Sequence, residues 1–256
     1  MEGDGPRNDR LVNNLGLPTE IQACLFDLDG VITRTAGLHA AAWKDMFDEF
    51  LKARSGQDFR PFDQTDYDRY VDGRPRADGV RTFLASRDVE LPEGRPGDPA
   101  DLDTVRRLAE RKNELLLERI REDGVEAYED SLAYVGAVRT AALRTAVVSS
   151  SKNCRAMLRA IGAEELFDVR IDGVVAEARG LPGKPAPDTF LAAAHELGIA
   201  PAACAVFEDA LAGMEAGRSG HFGYVVGVDR AGQAAALRSR GADIVVQGLG
   251  ALQEAR

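Results

Sequence analysis

Cys24-Leu25-Phe26-Asp27-Leu28-Asp29-Gly30-Val31 is an apolar run that ends in two carboxylates and a glycine. With Ile21 and Ala23 before it, the run reads as a short buried strand. Asp27 and Asp29 are two residues apart, so on an extended backbone they point the same way. Gly30 permits a sharp turn just beyond them. Two like charges held together at a strand end are costly unless a cation or a substrate uses them. A lone D-x-D-G also fits a strand entering an Asx-type turn. Taken alone, the stretch leaves chemistry and plain turn geometry both open.

Beyond it, residues 38–52 read as a helix with Trp43, Met46, Phe47, Phe50 and Leu51 as its apolar stripe. His39 and Trp43 are four apart and share one side of that helix, as packing residues or as part of a site. Residues 53–123 change character. They are charged and helical in pattern, with no convincing buried strand. The turn Asp72-Gly73-Arg74-Pro75-Arg76 and a Pro/Gly/Asp loop over residues 91–101 interrupt them. After that, helices alternate with strands expected at 145–151, 169–175, 205–209, 224–228 and 243–246. Such alternation implies a parallel sheet covered on both faces, with a helical block inserted after its first strand.

Composition narrows the function classes. The 256 residues are 45% hydrophobic and 29% charged, ordinary for a globular protein. A net charge of -10 argues against a nucleic-acid surface, which needs a basic stripe. No apolar run approaches the ~20 residues of a membrane helix, so no membrane partner is expected. The polar, Gly-rich N-terminus is read as a disordered arm over residues 1–17 and not as a signal peptide. Three widely spaced cysteines in apolar settings suggest buried thiols in a reducing cytoplasm. Three histidines without paired spacing make a zinc site a poor fit.

In a parallel α/β sheet the site lies at the carboxyl ends of the strands. Polar clusters recur there. The first strand ends in Asp27 and Asp29, the next in Ser149, Ser150, Ser151, Lys152 and Asn153, and another in Glu208 and Asp209. Between the last two lies Gly183-Lys184-Pro185-Ala186-Pro187, a proline-set turn that aims Lys184. Hard carboxylate oxygens suit Mg²⁺. The serine hydroxyls and Lys184 suit a phosphate. An aspartate can attack phosphorus, but an anion must then approach a dianion. At about 4 Å each charge pair repels by ~1 kcal/mol in water and several-fold more in a closed site. A divalent metal and a lysine offset that repulsion. Asp29 can then carry the proton exchanged with the leaving and incoming oxygens.

Asp27-Leu28-Asp29-Gly30-Val31, Ser149, Lys184 and Glu208-Asp209 resemble, in order and spacing, the four motifs of the haloacid dehalogenase superfamily. The likeness covers nearly all of the chain after Leu17. It is strongest to the β-phosphoglucomutase-like subfamily. Supporting matches are Thr33, Thr35-Ala36, His39, Ala42-Trp43-Lys44, Arg111-Lys112-Asn113 and Lys184-Pro185-Ala186-Pro187-Asp188. The resemblance implies a Rossmann-like parallel sheet core, residues 18–36 and 123–256, with an inserted α-helical cap domain, residues 37–122. It makes Asp27 the nucleophile and Asp29 the general acid/base. It implies Mg²⁺ held by the Asp27 side chain, the Asp29 backbone carbonyl, Glu208 and Asp209. Ser149, Ser150, Ser151, Lys152, Asn153 and Lys184 would bind phosphate. Gly73, Arg74 and Arg76 would bind sugar and the distal phosphate, with His39 and Trp43 lining the hinge and sugar pocket. The sequence departs from the pattern at Arg34, where an acid is usual, at Asp72 and Pro75, in the longer loop over 91–101, and in the cap lysine, which has no clear counterpart.

The expected activity is a Mg²⁺-dependent phosphomutase. It would interconvert β-D-glucose 1-phosphate and glucose 6-phosphate through an aspartyl-phosphate and a sugar bisphosphate. Its partners would be a phosphosugar and an activating sugar bisphosphate, and its default state a monomer. A sugar-phosphate phosphatase on the same core is the rival reading. A non-catalytic binding protein is a more distant one, since binding needs no nucleophile paired with an acid.

Overall fold

The computed structural model describes residues 11, 12, 15–99 and 102–254. Two short strands, β1 (Leu11–Val12) and β2 (Leu17–Pro18), pair antiparallel. Six more form one sheet: β3 (Ala23–Phe26), β4 (Arg144–Val148), β5 (Val169–Ile171), β6 (Cys204–Glu208), β7 (Tyr224–Val228) and β8 (Ile244–Val246). Their spatial order is β5-β4-β3-β6-β7-β8, and every pair is parallel. The strands are apolar on both faces because both faces are covered. Cys24 and Phe26 pack into one core cluster, and Ala23 and Leu25 into another on the opposite face. Phe26 stacks on Phe207 at 4.5 Å, tying the two central strands.

The helices after β3 are α1 (Ala36–Ser55), α2 (Gln64–Asp66), α3 (Arg76–Ala85) and α4 (Val105–Asp123). A π-helical turn, Tyr67–Val71, follows α2. These helices enclose a cluster of their own around Trp43, Phe47, Phe62, Phe83 and Leu108. Phe47 lies 5.2 Å from Trp43 and 4.1 Å from Phe83, ring centre to ring centre. Replacing such a buried Phe by Ala costs about 3–5 kcal/mol, so this helical layer does not lean on the sheet for all its cohesion. It is anchored to the sheet cluster by Ala42 of α1 and Leu116 of α4. The sheet is flanked by α5 (Glu129–Thr140), α6 (Cys154–Ala160), α7 (Gly173–Arg179), α8 (Asp188–Leu197), α9 (Leu211–Ser219) and α10 (Ala234–Ser239), and the chain ends in α11 (Ala251–Glu254). Among the described residues no helix is long and apolar enough to cross a membrane.

Two expectations are corrected. Residues 1–10, 13 and 14 of the expected arm lie outside the described residues. Leu15 and Leu17, however, are buried in the sheet cluster, and Tyr134 Oη donates to the Leu15 carbonyl at 2.8 Å. Apolar burial plus that hydrogen bond holds this segment in place. The strand expected to reach Val175 stops at Ile171. Asp172 accepts from the Val174 and Val175 N–H groups at 3.0 Å and caps α7, so a helix starts where β-branched residues suggested extension.

Candidate active site

Strand register builds the site. Phe26 lies opposite Val147 and Phe207, so the next residue, Asp27, comes level with Glu208 at the carboxyl edge of the sheet. The Asp27 N–H donates to Phe207 O at 2.9 Å, which extends the ladder by one rung. Lys184 is 1% exposed and fills the space behind both acids. Its Nζ donates to Asp27 Oδ1, to Glu208 Oε1 at 2.6 Å and to the Val148 carbonyl at 3.0 Å. Burial pulls the Lys184 pKa down, but the Asp27 and Glu208 carboxylates outweigh it and hold the ammonium above its ordinary value. The lysine therefore stays charged.

Burial pushes the Asp27 carboxyl well up, against the pull of Lys184 and with the push of Glu208 and Asp29. Asp209 is also raised, by burial and then by Asp72, Glu208, Asp27 and Asp29. Asp209 reaches the site because residue 30 is glycine. A Cβ there would stand 1.7 Å from Asp209 Oδ2, and its φ of +88° disfavours other residues. Gly213 gives Glu208 the same room, since a Cβ at that position would sit 1.9 Å from its Cδ.

Asp29 is aimed by the turn just beyond it. Gly30 N–H donates to Thr33 O at 2.8 Å, and Ile32 and Thr33 both donate to Leu28 O at 2.8 Å. The Thr35 hydroxyl then donates to Asp29 Oδ1. The His39 ring lies beside it, with Nε2 3.5 Å from Asp29 Oδ1. Burial, and next the Lys112 ammonium, lower the His39 pKa to about 3, so the ring is neutral at pH 7. Its Nδ1 is 3.0 Å from Lys112 Nζ, and Nε2 has no partner among the described residues.

The helical layer closes the other side. Asp27, Asp29, Asp209, Ser150 and Ser151 of the sheet edge share one small cavity with His39, Trp43, Tyr67, Asp72, Gly73, Arg74, Arg76 and Lys112. The cavity measures about 50 Å³, room for a water or two and several times too small for a hexose phosphate. Among the described residues two hydrogen bonds cross the seam: Ser150 Oγ donates to Gly73 O at 2.7 Å and Asn153 Nδ2 to Asn113 Oδ1 at 3.0 Å. Within the helical layer, Arg76 Nη2 donates to the same Asn113 oxygen at 2.8 Å.

Residues 21–221 match the family described as "Hydrolase: haloacid dehalogenase-like hydrolase". The chain belongs to the haloacid dehalogenase superfamily. A beta-phosphoglucomutase of Mycobacterium bovis is 51% identical over 245 residues, covering 93% of this chain and 94% of that protein. One of Bacillus subtilis is 30% identical over 231 residues and 89% of each chain. The crystal structure of beta-phosphoglucomutase from Clostridium difficile aligns with a TM-score of 0.72 at 26% identity, over 91% of this chain and 93% of that one. Within the superfamily, this chain is therefore a β-phosphoglucomutase-like phosphotransferase.

In this haloacid dehalogenase-superfamily enzyme the expected residues divide into three groups. Asp27, Asp29, His39, Trp43, Gly73, Arg74, Arg76, Ser150, Ser151 and Asp209 line the shared cavity. Ser149, Asn153, Lys184 and Glu208 stand just behind it. Ser149 Oγ accepts from the Ser151 N–H at 3.1 Å and shapes the loop, Asn153 bridges to α4, and Lys184 braces the two acids. Lys152 lines a neighbouring cleft, where its Nζ bonds Glu177 Oε2 at 2.7 Å.

Glu208, expected as a metal ligand, stands next to Asp209 at the carboxyl end of β6. Both its oxygens are taken, Oε1 by Lys184 and Oε2 by the Ala210 N–H at 2.9 Å. Among the described residues no three acidic, histidine or cysteine side chains converge as a ready metal cage. The donor set still fits magnesium. Asp29 would contribute its backbone carbonyl, and Asp27 and Asp209 present carboxylates whose mutual repulsion in a buried setting is left uncompensated on the cavity side.

Lys112 joins the cavity from α4. It is 2% exposed, and its Nζ lies 5.1 Å from the Trp43 ring centre. Its signal was present: it falls on the buried stripe of α4 with Val105, Leu108, Ala109 and Leu116, where a charge calls for a reason.

Proposed function

We propose that this phosphotransferase interconverts β-glucose 1-phosphate and glucose 6-phosphate through phospho-Asp27 and a sugar bisphosphate. The observation that carries the reading is the mixed lining of the cavity. Asp27 and Asp29 enter it from the sheet edge, and Arg76 and Lys112 from the helical layer. The Arg76 guanidinium spends one hydrogen bond on Asn113 and keeps the rest of its fork for a second phosphate. A mutase needs that second phosphate held while the first is transferred.

Phospho-Asp27 gives its phosphoryl group to the free hydroxyl of the sugar, and Asp29, aimed by Thr35, takes the hydroxyl proton. The bisphosphate turns round. The freed Asp27 oxygen attacks the other phosphorus, the bond to the sugar oxygen breaks, and Asp29 returns the proton to that oxygen. The Asp27 carboxylate, the Asp29 carbonyl, Glu208 and Asp209 would hold magnesium, which would supply positive charge against the repulsion of phosphate and carboxylates. Lys184 supports the same end from behind Asp27. The helical layer keeps water from the phospho-aspartate when shut and must swing about the segment near Thr35 to admit substrate. A small amount of sugar bisphosphate loads Asp27. The chain acts as a monomer in the cytoplasm, in keeping with its three free, buried cysteines.

The test is a panel of sugar 1-phosphates with catalytic bisphosphate present. Glucose 6-phosphate should form with no phosphate released, and Asp29→Ala should lose turnover by about 10³-fold. Retained turnover removes Asp29 from its role. Phosphate release without isomerised sugar favours the phosphatase.

A further inference from the structure

Tyr67, Val71, Asp72, Gly73 and Arg74 reach the cavity from one short segment. Its backbone is the π-helical turn, where the Asp72 N–H donates to Tyr67 O, five residues back, at 3.0 Å. One extra residue in a helical turn rotates the succeeding residues by about 100°. Such turns concentrate at functional sites. Here the residue swung toward the cavity is Asp72.

Asp72 is out of character with its surroundings. Arg74, Arg76 and Lys112 on the same side suit phosphate, whereas a carboxylate repels it. The Tyr67 hydroxyl points at the Asp72 carboxylate, and the other charges near it are largely negative: Glu208, Asp68, Asp29 and Asp209. No arginine or lysine hydrogen-bonds to it among the described residues, although Lys112 is close enough to feel its charge. The cavity thus holds, beside Asp29 and Asp209, an acceptor to which no cation is hydrogen-bonded, suited to a hydroxyl and not to a phosphate. Carboxylate oxygens accept strongly from O–H donors.

We propose that Asp72, positioned by Tyr67, is the specificity-determining acceptor for the 3-hydroxyl of the hexose. The assignment rests on the mutase reading. In a hexose phosphorylated at C1 or C6, the 3-hydroxyl lies opposite the ring oxygen, midway between C1 and C5. It keeps its place when the two ends of the molecule exchange, while the 2- and 4-hydroxyls trade positions. A single fixed acceptor therefore serves both halves of the reaction only through the 3-hydroxyl. A site built to bond a hydroxyl discriminates strongly against the analogue that lacks it, because its own polar group is then left unpaired.

Wild type, Asp72→Asn and Tyr67→Phe should be compared on β-glucose 1-phosphate and its 3-deoxy analogue, reading both isomerised sugar and released phosphate. Wild type should prefer the hydroxylated substrate by about 100-fold or more in kcat/KM. Asp72→Asn should shrink that ratio about tenfold, and Tyr67→Phe, which removes only the positioning contact, by a few-fold. The ratio cancels any general loss of folded enzyme, since both substrates meet the same protein. An unchanged ratio in Asp72→Asn overturns the role of Asp72 and leaves the mutase reading standing. A wild type that turns over neither sugar phosphate overturns the mutase reading and this assignment with it.

Discussion

The two walls of the active-site cavity are made differently. On the sheet side the groups behind the nearest acids are densely hydrogen-bonded. Lys184 makes three hydrogen bonds, Glu208 uses both oxygens, and the turn after Asp29 is closed by backbone bonds. On the helical side Arg76 makes one side-chain hydrogen bond and His39 Nε2 none among the described residues. A saturated network fixes geometry, which phosphoryl transfer to Asp27 requires. An unsaturated wall leaves donors and acceptors for a substrate to complete. That wall can also move, because only a few hydrogen bonds cross the seam. Chemistry is thus placed on the rigid side and recognition on the mobile one.

Removing the brace of the rigid wall should break this contrast most severely. Lys184→Met strands Asp27 and Glu208 as buried acids without their cation. The expected cost is about 3–5 kcal/mol of stability, together with loss of turnover, read by denaturant unfolding and mutase assay. Arg76→Ala acts on the open wall and should do the reverse. Mutase kcat/KM falls about 100-fold while the unfolding midpoint barely moves, since the protein loses little more than the Asn113 bond. Equal losses of stability in the two variants would erase the distinction between the walls.

Acid titration sharpens it further. Folding raises the carboxyl pKa of Asp27 and Asp209 by burial, and that of Asp72 to about 7 for the same reason. A carboxyl raised on folding favours the folded state below its unfolded pKa, and that contribution is lost as pH climbs through the folded value. Metal-free protein should therefore lose stability from these groups between about pH 4 and about pH 7. Magnesium should restore it, raising the melting temperature by about 3–6 °C at neutral pH and by less near pH 5. An equal shift at both pH values would mean that the ion does not bind these acids. The smallest effect is expected of Ser150→Ala, which cuts one seam bond to Gly73. It should cost about 0.5–1.5 kcal/mol and leave turnover within a few-fold, since the chemistry at Asp27 is untouched.

Much of the site is legible in the order of residues alone. Asp27, Asp29, Ser149, Lys184, Glu208 and Asp209 come directly after apolar runs or in rigid turns, and parallel strands deliver their ends to one edge. The parts that are not legible depend on contacts between distant segments. The order of residues does not show that Lys184 and the Ala210 N–H hold the Glu208 carboxylate. Nor does it show that α7 presents Glu177 to Lys152. Val174 and Val175 read as strand until Asp172 caps a helix beneath them.

The sequence by itself determined the alternation of strands and helices, the inserted helical block and the acids that end the first strand. Those features are written in local periodicity and in the residue types that end each strand. Only the tertiary structure decided that Lys112, Asp72 and Thr35 join the site, that Lys184 grips two acids at once and that the cavity between the layers is small. Side-chain direction at those places is set by strand register, by one π-helical turn and by the seat of one layer on another, none of which a linear pattern encodes.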